Sequence, residues 1–244
     1  MKVSAVQLQP IAGNIETNIA KHLNLIKLAV DRGAGLVFFS ELSLTGYEPR
    51  LANSLAVDIS DSRLDIFQER SDTANIVIGV GVPLKATQVQ IGTVWFAPGS
   101  PRRSYAKQQL HDDELPFFVP GEGQIILEAA GQKFAPAICY ESLQSSHAIE
   151  AKRLGADVYL ASVAKPRGGL AKAMLHYPAI ARKHKMHVIM ANCIGPNDNF
   201  MSVGQSAAWN SCGKLLEQMD RESEGILLMD TLTEQTSMHT LMGI

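Results

Sequence analysis

Three residues in this 244-residue chain have types and positions suited to covalent chemistry: Glu41, Lys107 and Cys139. Each follows a short apolar run: Leu36-Val37-Phe38-Phe39, Ser104-Tyr105-Ala106 and Pro136-Ala137-Ile138. In α/β proteins ligands and reacting groups gather at the C-terminal edge of the strands. One charged residue at the end of an apolar strand often marks only where the chain meets water. Three of complementary type are harder to read that way. A thiol attacks as its thiolate. A carboxylate can take its proton, and an ammonium can lower its pKa. When the thiolate attacks a carbonyl or nitrile carbon, negative charge grows on the substrate heteroatom. A fixed lysine and the backbone N–H after the nucleophile can hold that charge. Cysteine, glutamate and lysine thus make a full acyl-transfer set without histidine.

Other constellations are weaker. Cys139 and His147 stand eight residues apart across a turn into a helix, so they need not face each other, and His147 reads as an ordinary helix residue. His184 and His187 straddle a helix-to-strand junction with no third ligand, so no metal site is expected. Gly79-Val80-Gly81 lacks the third glycine and following helix of a dinucleotide site, and Gly213-Lys214 lacks the rest of a phosphate loop. Cys193 and Cys212 read as structural thiols, and Glu141 as a structural acid near the site.

The elements that must position these groups alternate along the chain. Strands are expected over Val3–Gln9, Gly35–Phe39, Ile76–Val82, Thr93–Ala97, Arg103–Lys107, Ile125–Ala129 and Lys133–Ile138. Later strands are expected over Val158–Ala161, Val188–Ala191, Gln205–Trp209, Lys214–Gln218 and Gly225–Met229. Helices are expected over Asn14–Arg32, where apolar residues recur at three and four, and over Ser62–Thr73, Leu143–Leu154 and Leu170–His184. Glu48 to Asp61 and Gln108 to Gly123 read as loops, and the tail after Asp230 has no strong signal. The stretches Asn75–Tyr105 and His187–Glu217 echo each other in pattern. No linker rich in Gly, Ser or Pro divides the halves, so one domain over residues 1–244 is expected. Helices recurring between more numerous strands argue for α/β sheets flanked by helices.

Composition narrows the partners. A net charge of −2 with no clustered basic face gives no reason to expect nucleic acid. No apolar run approaches the roughly eighteen residues of a membrane helix, and no membrane partner is expected. The start of the chain alternates like a strand and lacks the apolar stretch of a secretory signal. Three cysteines, an odd number, argue against a disulfide framework and for a reducing compartment, so a cytoplasmic location is expected.

Several segments together resemble the nitrilase, or carbon–nitrogen hydrolase, superfamily over nearly the whole length. Val3-Ser-Ala-Val-Gln-Leu-Gln9 is similar to its first strand, and Glu41-Leu-Ser-Leu-Thr-Gly46-Tyr47 resembles its glutamate motif. Tyr105-Ala-Lys107-Gln-Gln-Leu110 with Phe118-Val-Pro-Gly121 resembles its lysine motif, and Ile138-Cys139-Tyr140-Glu141 its nucleophile motif. Gly155-Ala-Asp157, Ala191-Asn192, Gly204-Gln-Ser206 and Gly213-Lys-Leu215 look like its later markers. The resemblance implies a four-layer αββα sandwich of two mixed β-sheets, a covalent thioester intermediate, no cofactor and a homodimer. It puts the family's second glutamate, which positions substrate and lysine, on Glu114. The interface would involve the helix Leu170–His184 and segments near Cys139.

The chain departs from the family pattern in places. Ser40 stands where proline is usual, Leu143-Gln-Ser-Ser-His147 replaces an arginine and a Pro-Glu pair, and Ala161-Ser-Val-Ala164 lacks the usual following proline. A Glu-Asn pair is absent near Ala181-Arg-Lys-His184. Tyr140 after the cysteine favours an amidase or N-carbamoyl hydrolase over a true nitrilase, where tryptophan is commoner. A non-catalytic binding protein that kept the fold is the alternative of another class. The expected pocket is walled by loops Gly46–Leu55, Gln108–Gly121 and Ser162–Leu170, with Phe117, Phe118 and Tyr140 against a small amide substrate. Arg167 or Lys165 would hold a distant carboxylate on it.

Overall fold

The computed structural model describes residues 1–241. The first half of the chain forms β1 (Lys2–Gln7), α1 (Ile15–Asp31), β2 (Leu36–Phe38), α2 (Ala52–Leu55), α3 (Asp65–Ala74), β3 (Val77–Lys85), β4 (Val89–Phe96) and β5 (Arg103–Ala106). Then come β6 (Leu127–Ala129), β7 (Gln132–Ile138), α4 (Ser145–Arg153), β8 (Val158–Val163), α5 (Arg167–His184) and β9 (His187–Asn192). A hairpin of β10 (Ile194–Asn197) and β11 (Phe200–Val203) precedes β12 (Ala207–Trp209), β13 (Leu215–Gln218), β14 (Gly225–Asp230) and β15 (Thr236–Thr240).

The strands build a seven-stranded sheet in the order β15-β14-β1-β2-β3-β4-β5 and a six-stranded sheet in the order β13-β12-β9-β8-β7-β6. Both are mixed. β1, β2 and β3 pair in parallel, as do β7, β8 and β9, and antiparallel strands flank each trio. The echo between Asn75–Tyr105 and His187–Glu217 corresponds to β3-β4-β5 and β9-β12-β13, antiparallel runs at matching places in the two sheets.

Three apolar clusters separate four layers. One, with Phe38, Trp95, Phe134, Ile138 and Leu160, fills the space between the sheets. A second packs Leu25, Ile26, Ala29 and Phe67 of α1 and α3 on the outer face of the first sheet. The third packs Ala148, Ala151, Tyr177 and Ile180 of α4 and α5 on the outer face of the second. This is the expected αββα sandwich. Strands buried on both faces read as continuous apolar runs, which is why β2, β3 and β8 were legible. Among the described residues, no helix is long and apolar enough to cross a membrane.

The differences from expectation are local. The polar stretch after Glu48 contains a helical turn at Pro49–Leu51 followed by α2. α5 begins at Arg167, three residues before the apolar periodicity starts. β10 contains Gly195 and Pro196, which hide it from any strand pattern. β15 is largely polar, and its strand character comes from pairing with β14.

The turn carrying Glu41 is pinned from two sides. On one side it lies directly on β3, where a Cβ at Gly81 would sit 2.4 Å from the Ser40 carbonyl oxygen and 2.7 Å from the Leu42 nitrogen. On the other stands His22 of α1, a helix capped by Asn14, whose side chain accepts the Thr17 N–H. His22 Nδ1–H donates to Asn18 O at 2.7 Å, which leaves Nε2 to accept from Ser43 Oγ at 3.0 Å. Ser43 Oγ in turn accepts the Gly81 N–H at 3.2 Å. The ring stacks on Phe39, with centroids 4.0 Å apart.

Burial lowers the His22 pKa to about 3, against the opposing hydrogen bond to Asn18 O. The unfolded chain protonates this residue near pH 6.5, while the folded one keeps it neutral. Its contribution to stability is therefore full above pH 6.5 and is lost as pH falls towards 3, at about 1.4 kcal/mol per unit. Between pH 7 and 4.5 the wild type should lose about 2.5 kcal/mol more than His22→Gln, read from urea midpoints. Parallel losses in the two proteins would contradict a neutral, buried His22.

Candidate active site

Glu41 stands three residues beyond the end of β2, Lys107 directly after β5, and Cys139 directly after β7. The first two belong to one sheet and the third to the other, and all converge on one cluster. Lys107 Nζ donates to Glu41 Oε1 at 2.8 Å and to Glu114 Oε1 at 2.6 Å, with no solvent exposure of the lysine. Glu114 Oε1 also accepts from Tyr47 OH at 3.0 Å, and Glu114 Oε2 from the His111 N–H at 2.8 Å. The loop bearing Glu114 closes back on β5 at Gly121, whose N–H donates to Lys107 O at 2.8 Å. A Cβ at Gly121 would lie 2.4 Å from the Ala106 carbonyl oxygen, so only glycine permits this return.

Burial and charge act differently on each group. Burial alone would lower the Lys107 pKa, but Glu41 and Glu114 outweigh it and raise it above the usual range. Burial raises the Glu41 pKa, with Lys107 opposing and Glu114 reinforcing, which makes this carboxylate a stronger base than an exposed one. Its Oε2 is buried and has no hydrogen-bond partner among the described residues. That oxygen is a vacant acceptor on a carboxylate that lines the pocket.

Cys139 has a φ of 44°, in the left-handed region that a side chain rarely adopts. Its N–H still donates to Ser162 O at 3.0 Å, continuing the β7–β8 pairing. Local strain of this kind persists where surrounding structure over-determines it. Sγ lies 3.8 Å from Ala164 O and 3.7 Å from Lys165 Nζ. Burial and then Glu41 push the thiol pKa up, while Lys165 and Lys107 pull it back. The resting sulfur therefore carries its proton, and attack needs a base.

Beneath these groups a third carboxylate ties the two sheets together. Glu141 Oε1 accepts from Tyr105 OH and the Ile138 N–H, both at 2.7 Å, and Oε2 accepts the Gln108 N–H at 2.6 Å. Ile138 precedes the cysteine and Gln108 follows the lysine. Burial raises the Glu141 pKa to about 7 against these hydrogen bonds. His147 is not an ordinary helix residue. It is buried, with Nδ1 on Tyr159 OH at 2.7 Å and Nε2 on Tyr105 OH at 2.8 Å, so neither ring nitrogen is available to Cys139.

Glu41, Glu114, Cys139 and Tyr140 line a cavity of about 720 Å³. Each of the three expected loops contributes to it, through Tyr47, through His111 and Glu114, and through Lys165 and Gly169. Phe117 and Phe118 do not line it. Phe118 is packed into the inter-sheet core and Phe117 faces solvent. Tyr47, Leu143, Leu175 and Phe200 supply apolar wall instead. Arg167 is also outside the cavity, because α5 begins there and the side chain is exposed. Lys165 and Lys172 are the cations on the wall. Tyr47, named only as part of the glutamate motif, and Lys165, expected only to hold a distant substrate carboxylate, both stand closer to the reactive groups than the sequence indicated. Lys165 lies two residues past the end of β8, so the strand-end rule that singled out the other three also points to its place beside them.

A carbon–nitrogen hydrolase family model matches residues 2–236. The chain is similar to the glutamine-dependent NAD(+) synthetase of Thermotoga maritima, at 24% identity over 94% of this chain and 42% of that one. It spans less than half the length of the curated relatives it matches. Among solved structures it is similar to the NitN amidase from Nesterenkonia sp. AN1, with a TM-score of 0.86, 21% identity and 96% of each chain covered. A mutant of that amidase, bearing the product of Michael addition of acrylamide at its active-site cysteine, gives the same score, identity and coverage. At this identity the likeness is one of fold.

The cluster makes a definite demand on its members. Glu41→Gln keeps the shape and removes the proton acceptor, and Lys107→Ala removes the cation. Each should lower kcat by roughly a hundredfold or more, and the double variant should lose little beyond the worse single one. Multiplying losses, or a near-normal rate in Glu41→Gln, would rule out one concerted unit.

Proposed function

The chain belongs to the carbon–nitrogen hydrolase family, and from that premise we propose that it hydrolyses a small non-peptide amide through a thioester on Cys139. The observation that carries this reading is the buried Lys107 ammonium held between two carboxylates, one with a vacant oxygen, in a cluster with the thiol. Glu41 Oε2 takes the Cys139 proton, and sulfur attacks the amide carbon. The C=O electron pair moves to oxygen, where Lys107 and the Tyr140 N–H can hold it. Two of the three Lys107 ammonium hydrogens are taken, which leaves one for this work. Collapse breaks the C–N bond as protonated Glu41 returns its proton to nitrogen, and ammonia leaves. Water then gives a proton to Glu41 and attacks the thioester, releasing the acid and restoring the thiol. Glu114, tied to Lys107 and Tyr47, positions the lysine and faces the amide N–H.

Lys172 on the wall favours a substrate with a carboxylate away from the scissile bond. An ω-amidated acid and an N-carbamoyl amino acid both have one. The cavity suits a small molecule and not a folded protein. Homodimer formation through α5 fits the exposure of Leu175, which is 79% accessible beside the pocket. Light scattering at micromolar concentration should then give twice the chain mass.

An ammonia-release screen over amides, ω-amidated acids, carbamoyl compounds and nitriles tests the reaction. Turnover of nitriles alone, or of nothing, would overturn it. For the preferred acid, Lys172→Ala should raise KM about tenfold, the worth of one charge-assisted hydrogen bond. An ester-capped analogue should be indifferent to that change, and Arg167→Ala should leave both unchanged. An effect of Arg167→Ala equal to that of Lys172→Ala would refute this placement of the cations.

A further inference from the structure

Lys107 is not the only ammonium at the nucleophile. Lys165 is 3% exposed, and its Nζ lies 3.7 Å from Cys139 Sγ. Among the described residues, no carboxylate lies within the 4.0 Å of an ion pair with it. Lys107, by contrast, is shared between two carboxylates. A desolvated ammonium without a counter-ion is costly unless an anion forms beside it.

The backbone of Lys165 is held for this position. Its N–H donates to Asn192 Oδ1 at 2.8 Å, and its carbonyl accepts from Asn192 Nδ2 and from the Val203 N–H, both at 3.3 Å. Asn192 is itself fixed by its N–H to Ser206 Oγ at 3.0 Å and its Nδ2 to Gly204 O at 2.7 Å. The Ser206 N–H donates in turn to Gln7 Oε1 on β1, at 3.0 Å. A chain of buried hydrogen bonds thus runs from the first sheet to the lysine beside the sulfur.

We infer that Lys165 is a further catalytic residue, the counter-cation of the Cys139 thiolate, which leaves Lys107 to the substrate oxyanion. The inference rests on Cys139 being the nucleophile. When the S–H proton passes to Glu41 Oε2, the electron pair stays on sulfur facing Lys165 Nζ. The cluster begins with two carboxylates and two ammoniums and ends with one carboxylate, one thiolate and two ammoniums. Its net charge is zero before and after. Without Lys165 the same transfer would occur in a cluster of charge −1, with its only ammonium already shared.

Several titratable groups surround this proton, among them Glu141, bonded to the N–H of Ile138 beside the cysteine and with its pKa raised by burial to about 7. Glu41, Lys107 and Glu114 face the sulfur from the first sheet. Tyr47 and Tyr177 are held protonated by burial, which raises both. His176 on α5 is held below its usual pKa by burial and by Lys165. Lys172 lies on the cavity wall, and His111 and Asp113 pair with each other at 2.7 Å.

The test is the pH dependence of Cys139 alkylation by iodoacetamide, a neutral reagent, followed by peptide mass spectrometry in wild type, Lys165→Met and Lys165→Arg. Exposed Cys212 in the same digest is the internal reference. In Lys165→Met the Cys139 midpoint should rise by about one pH unit or more, with labelling roughly tenfold slower at pH 7. Lys165→Arg, which keeps the charge, should return most of the shift. For a neutral amide, kcat should fall in Lys165→Met with KM little changed. An unshifted midpoint in Lys165→Met would overturn the inference, and with a raised KM for acids it would make Lys165 a substrate-binding group. If Lys165→Met fails to fold, shown by a lowered urea midpoint, Lys165→Gln carries the same comparison. Labelling needs no turnover. A shifted midpoint in a protein that releases no ammonia would sink the amidase reading and leave this one standing, and the converse result would do the reverse.

Discussion

A lysine ammonium with no access to water must find its counter-charges inside the protein. Lys107 finds two, and much of the architecture around it serves to bring them there. Removing either partner would leave a buried charge imbalance, at a cost of about 3–5 kcal/mol. Glu41 arrives on a turn pressed against β3 and braced by a neutral histidine from α1. Glu114 arrives on a loop that can close only because Gly121 lets two backbones touch. The site is therefore assembled by close backbone approaches, and the ion pairs are what those approaches make possible.

The second constraint is that Cys139 belongs to the other sheet. Apolar contacts between two sheets are non-directional and leave some freedom in how groups on facing strands are placed. Glu141 removes that freedom. One carboxylate accepts the N–H before Cys139 and the N–H after Lys107, so the two residues share an anchor. Tyr105 and His147 complete the buried network, and the low local dielectric strengthens its charge-assisted members. This accounts for a buried glutamate two residues after Cys139.

The later sequence markers also gain a physical meaning. Asn192 and Ser206 do not reach the cavity. They hold the backbone of Lys165, which reaches the sulfur. Together with Glu141 they form a hydrogen-bonded frame around the buried charges, and it runs from β1 through the second sheet.

The sequence by itself determined the α/β class, the strand ends that present Glu41, Lys107 and Cys139, and the three loops around the pocket. These follow from burial: strands covered on both faces must be apolar, and a charged residue at their end stands out. Only the tertiary structure decided which cations reach the cavity. Arg167 and Lys165 sit two residues apart and look alike as loop residues. The start of α5 turns one to solvent, while Asn192 holds the other beside Cys139. The same holds for β15 and the β10–β11 hairpin, whose polar or Gly-Pro sequences become strands through their pairing partners. It holds too for His147, whose burial depends on two tyrosines from other strands. Periodicity reports which face of an element is covered, whereas the direction of a single polar side chain is set by partners far away in the chain.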